Sequence, residues 1–247
     1  LSEEIAETYA PGTETIPPAT TLEKEYDAGK GAWVRKLIQT ILLEDSFEYD
    51  RSIVDPWTGE GDAGGSKDGD DTSTPFKGTK NLKVVTHTDL NDAYAAYRLF
   101  GLTPSKKILF EGDFQFKSIV DNKVVDFTFI YYDGTNRYEA VLRYDPVNAK
   151  WQYKNSAGAF VDVSGGAQSL RALAYHHIKI TIDFGNAKYG YVLCDNKSFD
   201  LRAIALYSTA DATRVSCKFS YGTATATGTV AAEAYLDEIK IVEVATA

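Results

Sequence analysis

The sequence predicts an all-β chain, an antiparallel two-sheet jelly-roll sandwich preceded by an extended N-terminal arm. Three observations carry that expectation. Aromatic residues make up 13% of the 247 positions, with 16 Tyr and 12 Phe, and aromatic and β-branched side chains suit half-buried pleated surfaces. Short strand-like runs follow one another at 82–88, 93–100, 107–117, 124–133, 137–145, 150–154, 176–184, 188–194, 199–207, 214–221 and 234–244, with turn-forming residues between them. No βα alternation of the kind that builds a parallel sheet breaks the series.

Taken in order, residues 1–31 read as a tether. The stretch "ETYAPGTETIPPATT" is rich in Thr, Pro, Glu and Ala and has no apolar period. Residues 32–247 are then the sandwich domain. It opens with "WVRKLIQTILLEDSFE" (33–48), an apolar run whose spacing suits either a helix or a strand. "DPWTGEGDAGGSKDGDDTSTPFKG" (55–78) follows and predicts a Gly/Asp-rich loop at 58–75, either functional or mobile. Its acids do not fit the spacing of an EF-hand. Turn signals then separate the strands: "YYDGTNRY" (131–138), "KNSAGAF" (154–160), "SGG" (164–166), "FGNAKYG" (184–190) and "YGTATATG" (221–228).

The net charge of −9 is unevenly placed. Residues 1–75 hold 17 Asp/Glu against 6 Lys/Arg, whereas 76–247 are close to neutral. Neither part carries the basic stripe of a nucleic-acid-binding surface. No apolar run approaches the roughly 18 residues of a membrane span, so no membrane insertion is expected. Cys194 and Cys217 are too few and too far apart for a zinc motif. They lie in neighbouring strand-like segments and fit either a disulfide or two buried free thiols.

"AYHHIKITIDF" (174–184) places two histidines side by side, as a metal site would. Strand alternation argues otherwise. His176, Ile178, Ile180, Ile182 and Phe184 share one face, and His177, Lys179, Thr181 and Asp183 share the other. Two histidines on opposite faces do not grip one ion. In "FEGDFQF" (110–116), the same rule puts Glu111, Asp113 and Gln115 on one face, opposite Phe110, Gly112, Phe114 and Phe116.

"ILFEGDFQF" (108–116), "YEAVLRYDPVNAKWQYKNSAGAF" (138–160), "HHIKITIDFGNAKYGYVLCDNKSFDL" (176–201) and the closing "AYLDEIKIVEV" (234–244) resemble the concanavalin A-like lectin/glucanase superfamily, of LamG-type jelly-roll fold, over roughly 44–244. The resemblance implies a fold rather than a function, since these motifs recur across unrelated activities. Retaining glucanases of the superfamily carry E-x-D-x-E or E-x-D-x-x-E on a strand, which supplies the two carboxyls their mechanism needs. Glu111 and Asp113 match its first two positions, but Gln115 or Phe116 stands at the third, and Gln does not exchange a proton as a carboxyl does. The resemblance also implies a structural Ca²⁺ between first and last strands, with Glu44, Asp45 or Glu48 and Asp237 at comparable places; no other cofactor is expected.

Three functions fit this plan. The sequence favours a non-catalytic structural or adhesive protein, a virion component (capsid-decorating or tail) or another extracellular assembly subunit. Its arm would hold copies of itself or other assembly subunits, since segments disordered alone order against partners. The alternative is a carbohydrate-binding, lectin-like module, in which Tyr131, Tyr132, Arg143, Trp151, Tyr153 and Tyr191 supply stacking rings and hydrogen bonds to a glycan. Half of such aromatics are needed for the core, and the sequence does not say which face out. A glycoside hydrolase centred on Glu111 and Asp113 ranks last. All three place the protein outside the cell or on a virion surface.

Overall fold

The computed structural model describes residues 22–27, 32–37, 41–48, 56–101, 106–213 and 215–244. Most of the 1–31 arm lies outside the described residues. From that stretch β1 (Leu22–Asp27) pairs antiparallel with β2 (Ala32–Leu37), which follows it, as a two-stranded hairpin.

The remaining strands are β3 (Ile41–Asp45), β4 (Thr58–Gly61), β5 (Ser66–Asp71), β6 (Asn81–Val85), β7 (Ala93–Phe100), β8 (Lys107–Phe116), β9 (Asn122–Asp133), β10 (Asn136–Asp145), β11 (Lys150–Lys154), β12 (Phe160–Ala167), β13 (His176–Asp183), β14 (Lys188–Cys194), β15 (Lys197–Asp200), β16 (Tyr207–Ala210), β17 (Val215–Thr225) and β18 (Glu233–Glu243). They form two eight-stranded sheets. Sheet I runs β12-β11-β10-β9-β17-β7-β4, with β16 also on β10. Sheet II runs β15-β14-β13-β8-β18-β6-β5, with β3 also on β18. Every pairing is antiparallel.

Strict alternation drives the sheets face to face. In β13, Ile178, Ile180 and Ile182 are buried while Lys179, Thr181 and Asp183 stay half-buried on the other face. In β8, Ile108, Phe110, Phe114 and Phe116 turn inward. Their rings meet those of sheet I directly. Phe110 lies 4.8 Å from Phe219 and 5.4 Å from Phe129, and Phe114 lies 5.1 Å edge-on from Phe127. Aromatic pairs at such spacings add to what area burial alone supplies.

The 58–75 stretch is not a loop throughout. It holds β4, which pairs with β7 at the edge of sheet I, and β5, which pairs with β6 at the edge of sheet II. An edge strand needs one partner and gains from charge and glycine, so its composition hides it from any search for apolar alternation. The described part of the 33–48 run is strand over 33–37 and 41–45, in β2 and β3, and irregular over 46–48. "SGG" (164–166) lies inside β12, opposite a register shift in β11, with Gly165 at φ +68°. That is a bulge, for which glycine is suited. The 199–207 run divides into β15 and β16, and β17 continues to Thr225 through the expected turn at 221–228.

The cysteines are not neighbours. Cys194 lies in sheet II and Cys217 in sheet I, and both are buried free thiols. Burial pushes the Cys217 thiol up to about 12 and the Cys194 thiol up as well, so both are inert apolar filling.

Candidate functional site

Outward positions of sheet I line up across seven strands. The register joins Asp162 of β12 to Gln152, Arg143, Asp126, Gly222, Ala95 and finally Glu60 of β4. Six strand spacings of about 4.8 Å make this row roughly 29 Å long. Part of it has almost no side chains. Ala93 and Ala95 of β7 face Ala224 and Gly222 of β17. A Cβ on Gly222 would stand 2.7 Å from that of Ala95, so the backbones approach as closely as glycine permits.

These small residues floor a trough of about 380 Å³, walled by Arg143, Asp126, Thr128, Ser220, Lys218 and Glu60. The walls are fixed by ion pairs. Arg143 donates from Nε and Nη2 to the two Asp126 oxygens at 2.7 Å each, a bidentate fork. Its guanidinium also lies 3.5 Å over the Phe160 ring. Lys218 donates to Glu60 at 2.5 Å while sitting 4.2 Å over the Tyr97 ring, and Ser220 donates to the same Glu60 carboxylate at 3.2 Å. Beside them Glu139 takes Arg137 at 2.6 Å and Lys154 at 2.7 Å. Fixed donors and acceptors over a flat floor suit a ligand covered in hydroxyl groups.

Of the six residues expected to bind sugar, the structure brings only Arg143 to this trough. Tyr132 follows the outward alternation of β9 but is 4% exposed. Trp151 is fully buried, its Nε1–H donating to Gln168 Oε1, and Tyr131 packs against Tyr138 and Phe184. Neither presents a ring to a ligand. Tyr153 turns inward, edge-on to Tyr189. Tyr191 is exposed, under the Arg202 guanidinium, but belongs to sheet II. The small residues escaped sequence reading because "AYAAYR" (93–98) and "YGTATAT" (221–227) become a floor only when β7 and β17 pair, more than a hundred residues apart.

The outer face of sheet II is built differently. Glu111 and Asp113 do share it, with Gln115 beside them, buried. His177 adds what the strand pattern alone did not show. Its Nδ1 is 3.0 Å from Asp113 and its Nε2 is 3.2 Å from Glu111, which also takes Lys179 at 2.9 Å. Both ring nitrogens therefore have carboxylate partners beside a cleft of about 420 Å³. Desolvation raises the Asp113 carboxyl above the usual range, against the opposing hydrogen bond from His177. His176, buried on the opposite face, bonds Asp195 and the Arg171 carbonyl.

Three of the acids expected to hold calcium accept hydrogen bonds from the chain itself. Asp45 is buried and accepts from Phe47 N–H, Trp57 Nε1–H and Arg98. Glu48 Oε1 accepts the Thr79 and Lys80 amides at 2.8 and 3.0 Å. Asp237 Oδ2 accepts the Phe76 and Lys77 amides at 3.0 and 3.1 Å, and its Oδ1 the amide of Glu238. Glu44 is exposed, opposite Lys240 in the β3–β18 register. Residues 72–80 are thus strapped over sheet II, and the Tyr175 hydroxyl closes the strap by donating to the Thr74 carbonyl.

No family model matches the sequence, and a search of curated proteins found no match. In structure the chain is similar to cellulose-induced protein Cip1, with a TM-score of 0.53 and 13% identity over 81% of this chain and 96% of that one. It is similar to a carbohydrate esterase from Shiga toxin-encoding bacteriophage phi24B, with a TM-score of 0.51 and 13% identity over 84% and 100%. A sialidase matches with a TM-score of 0.52 and 13% identity over 85% of this chain, which spans 20% of the sialidase's length. Likeness at this identity concerns architecture. The chain has the two-sheet antiparallel jelly roll that its strand motifs implied.

Proposed function

We propose that this protein is a non-catalytic, carbohydrate-binding β-sandwich that takes a glycan in the trough of sheet I. The observation that carries the reading is the trough itself: a floor of Ala93, Ala95, Gly222 and Ala224 between walls of fixed polar groups led by Arg143–Asp126. The three similar structures bear names from carbohydrate biology, which agrees with it. With this goes an adhesive role outside the cell or on a virion surface, the 1–31 segment joining the sandwich to copies of itself or to other assembly subunits. On the same reading the His177 cluster is a structural ion-pair network rather than an acid/base site.

A glycan panel followed by calorimetry tests the proposal. The protein should bind at least one polysaccharide, and Arg143→Ala should weaken that binding by roughly tenfold or more while the fold persists by circular dichroism. A protein silent across the panel, or one indifferent to Arg143→Ala, would sink it. Light scattering on the full chain and on a version lacking residues 1–31 tests the assembly role. An oligomer lost on truncation supports it, and an unchanged state removes it.

A further inference from the structure

Each cation lining the trough has a carboxylate against it. Arg143 is held by both oxygens of Asp126, Lys218 by Glu60, and Arg137 reaches Glu139, which also takes Lys154. Resting on the glycan reading above, we infer that the trough selects neutral, hydroxyl-rich polysaccharide and rejects chains bearing carboxylate or sulfate. A hydroxyl both donates and accepts. Beside an ion pair it accepts from a guanidinium N–H that the pair leaves unused and donates to a carboxylate lone pair. The Arg143–Asp126 fork consumes two of the five guanidinium donors, so this bridging geometry stays open.

An anionic group only accepts. To reach Arg143 it must displace Asp126 or lie against it, and to reach Lys218 it must do the same at Glu60. Either way like charges meet a few ångströms apart on a partly desolvated surface. The carboxylates thus act as repulsive elements against the wrong ligand, which is how specificity is commonly built. The Tyr97 ring under Lys218 and the Phe160 ring under Arg143 add to this by fixing where each cation sits.

The test uses affinity electrophoresis of the full chain in soluble glucan, xylan and mannan and, in parallel, in a polyuronate and a sulfated polysaccharide, at low and high salt. Retardation by a neutral polymer, unchanged by salt, with acidic polymers weaker by roughly tenfold, is the expected result. Preferential binding to an acidic polymer, falling as salt rises, overturns the inference and leaves the glycan reading standing. Silence on every polymer overturns both. Asp126→Asn gives a second arm. It removes the anion that neutralises Arg143 while keeping the side-chain shape, and should raise polyuronate affinity relative to neutral glycan by roughly tenfold. An unchanged ratio counts against the inference.

Discussion

On the outer face of sheet I, Arg143, Lys218 and Arg137 meet their carboxylates around an open depression floored by alanine and glycine. On the outer face of sheet II, Asp113 and Asp237 are buried, one against His177 and the other beneath the strap of residues 72–80. The two faces use similar residue types on similar antiparallel strands. What separates them is side-chain volume. Small residues on β7 and β17 floor the trough above sheet I, whereas above sheet II Gln115, Tyr175 and Tyr235, with the strap, pack beside a cleft of about 420 Å³ walled by the larger side chains of Glu111, Asp113 and His177. Polar groups on the first face stay available to a ligand. On the second, Asp237 accepts the amides of Phe76, Lys77 and Glu238, and Asp113 is paired with His177. Burial pushes the Asp237 carboxyl up to about 6, against the amide hydrogen bonds that oppose the shift.

The largest expected effect comes from removing what both faces share. Phe110 is fully buried and its ring meets Phe127, Phe129 and Phe219 across the sandwich. Phe110→Ala should cost about 3–5 kcal/mol by urea denaturation. A loss under ~1 kcal/mol would mean that the two sheets are not locked together there.

Next comes the pH response of sheet II. A free Asp gives up its proton near 3.8, whereas Asp237 in the folded chain keeps it to about 6. Between those values the folded state binds more protons than the unfolded one, so this group's contribution to stability falls as pH rises. The total is on the order of 3 kcal/mol. Asp113, raised too, adds to the same slope. Asp237→Asn should therefore flatten the stability–pH curve between about pH 4 and 6 while retaining an oxygen to accept the Phe76 and Lys77 amides. An unaltered slope would place the burden elsewhere. The Arg143→Ala and Asp126→Asn experiments probe sheet I and come third, at about 1.4 kcal/mol for each tenfold change. The smallest effect is expected at Tyr191, exposed on sheet II: Tyr191→Ala should change stability by no more than ~0.5 kcal/mol and leave glycan binding intact. Lost binding there would move the site to the other sheet.

The fold was legible wherever a strand has one buried face. β8 and β13 announced themselves because their inward residues are Ile and Phe at every second position, and the same alternation separated His176 from His177 correctly. It failed for β4, β5 and β12, which lie at sheet edges, bury little and so carry no period. The site was less legible. Of the six expected sugar-binding residues only Arg143 lines the trough, half-buried against Asp126 and the Phe160 ring. Trp151 and Tyr131 were drawn in with it, because ring content does not reveal facing where sandwich core and sugar platform call for the same residues. The trough floor left no local mark at all, and the pairing of His177 with Asp113 depends on a register between strands some sixty residues apart.

The passage of residues 58–71 from one sheet to the other has a consequence for behaviour at high concentration. β4 ("TGEG") and β5 ("SKDGDD") close one flank of the sandwich with short, charged, glycine-bearing strands. At the opposite flank β15 is only four residues long and charged, and β12 is broken by its glycine bulge. None of these four strands offers a long flat ladder to an incoming strand, and such ladders are where β-proteins begin to aggregate. At these four strands, contact between crowded copies is therefore expected through side chains rather than through sheets growing into one another.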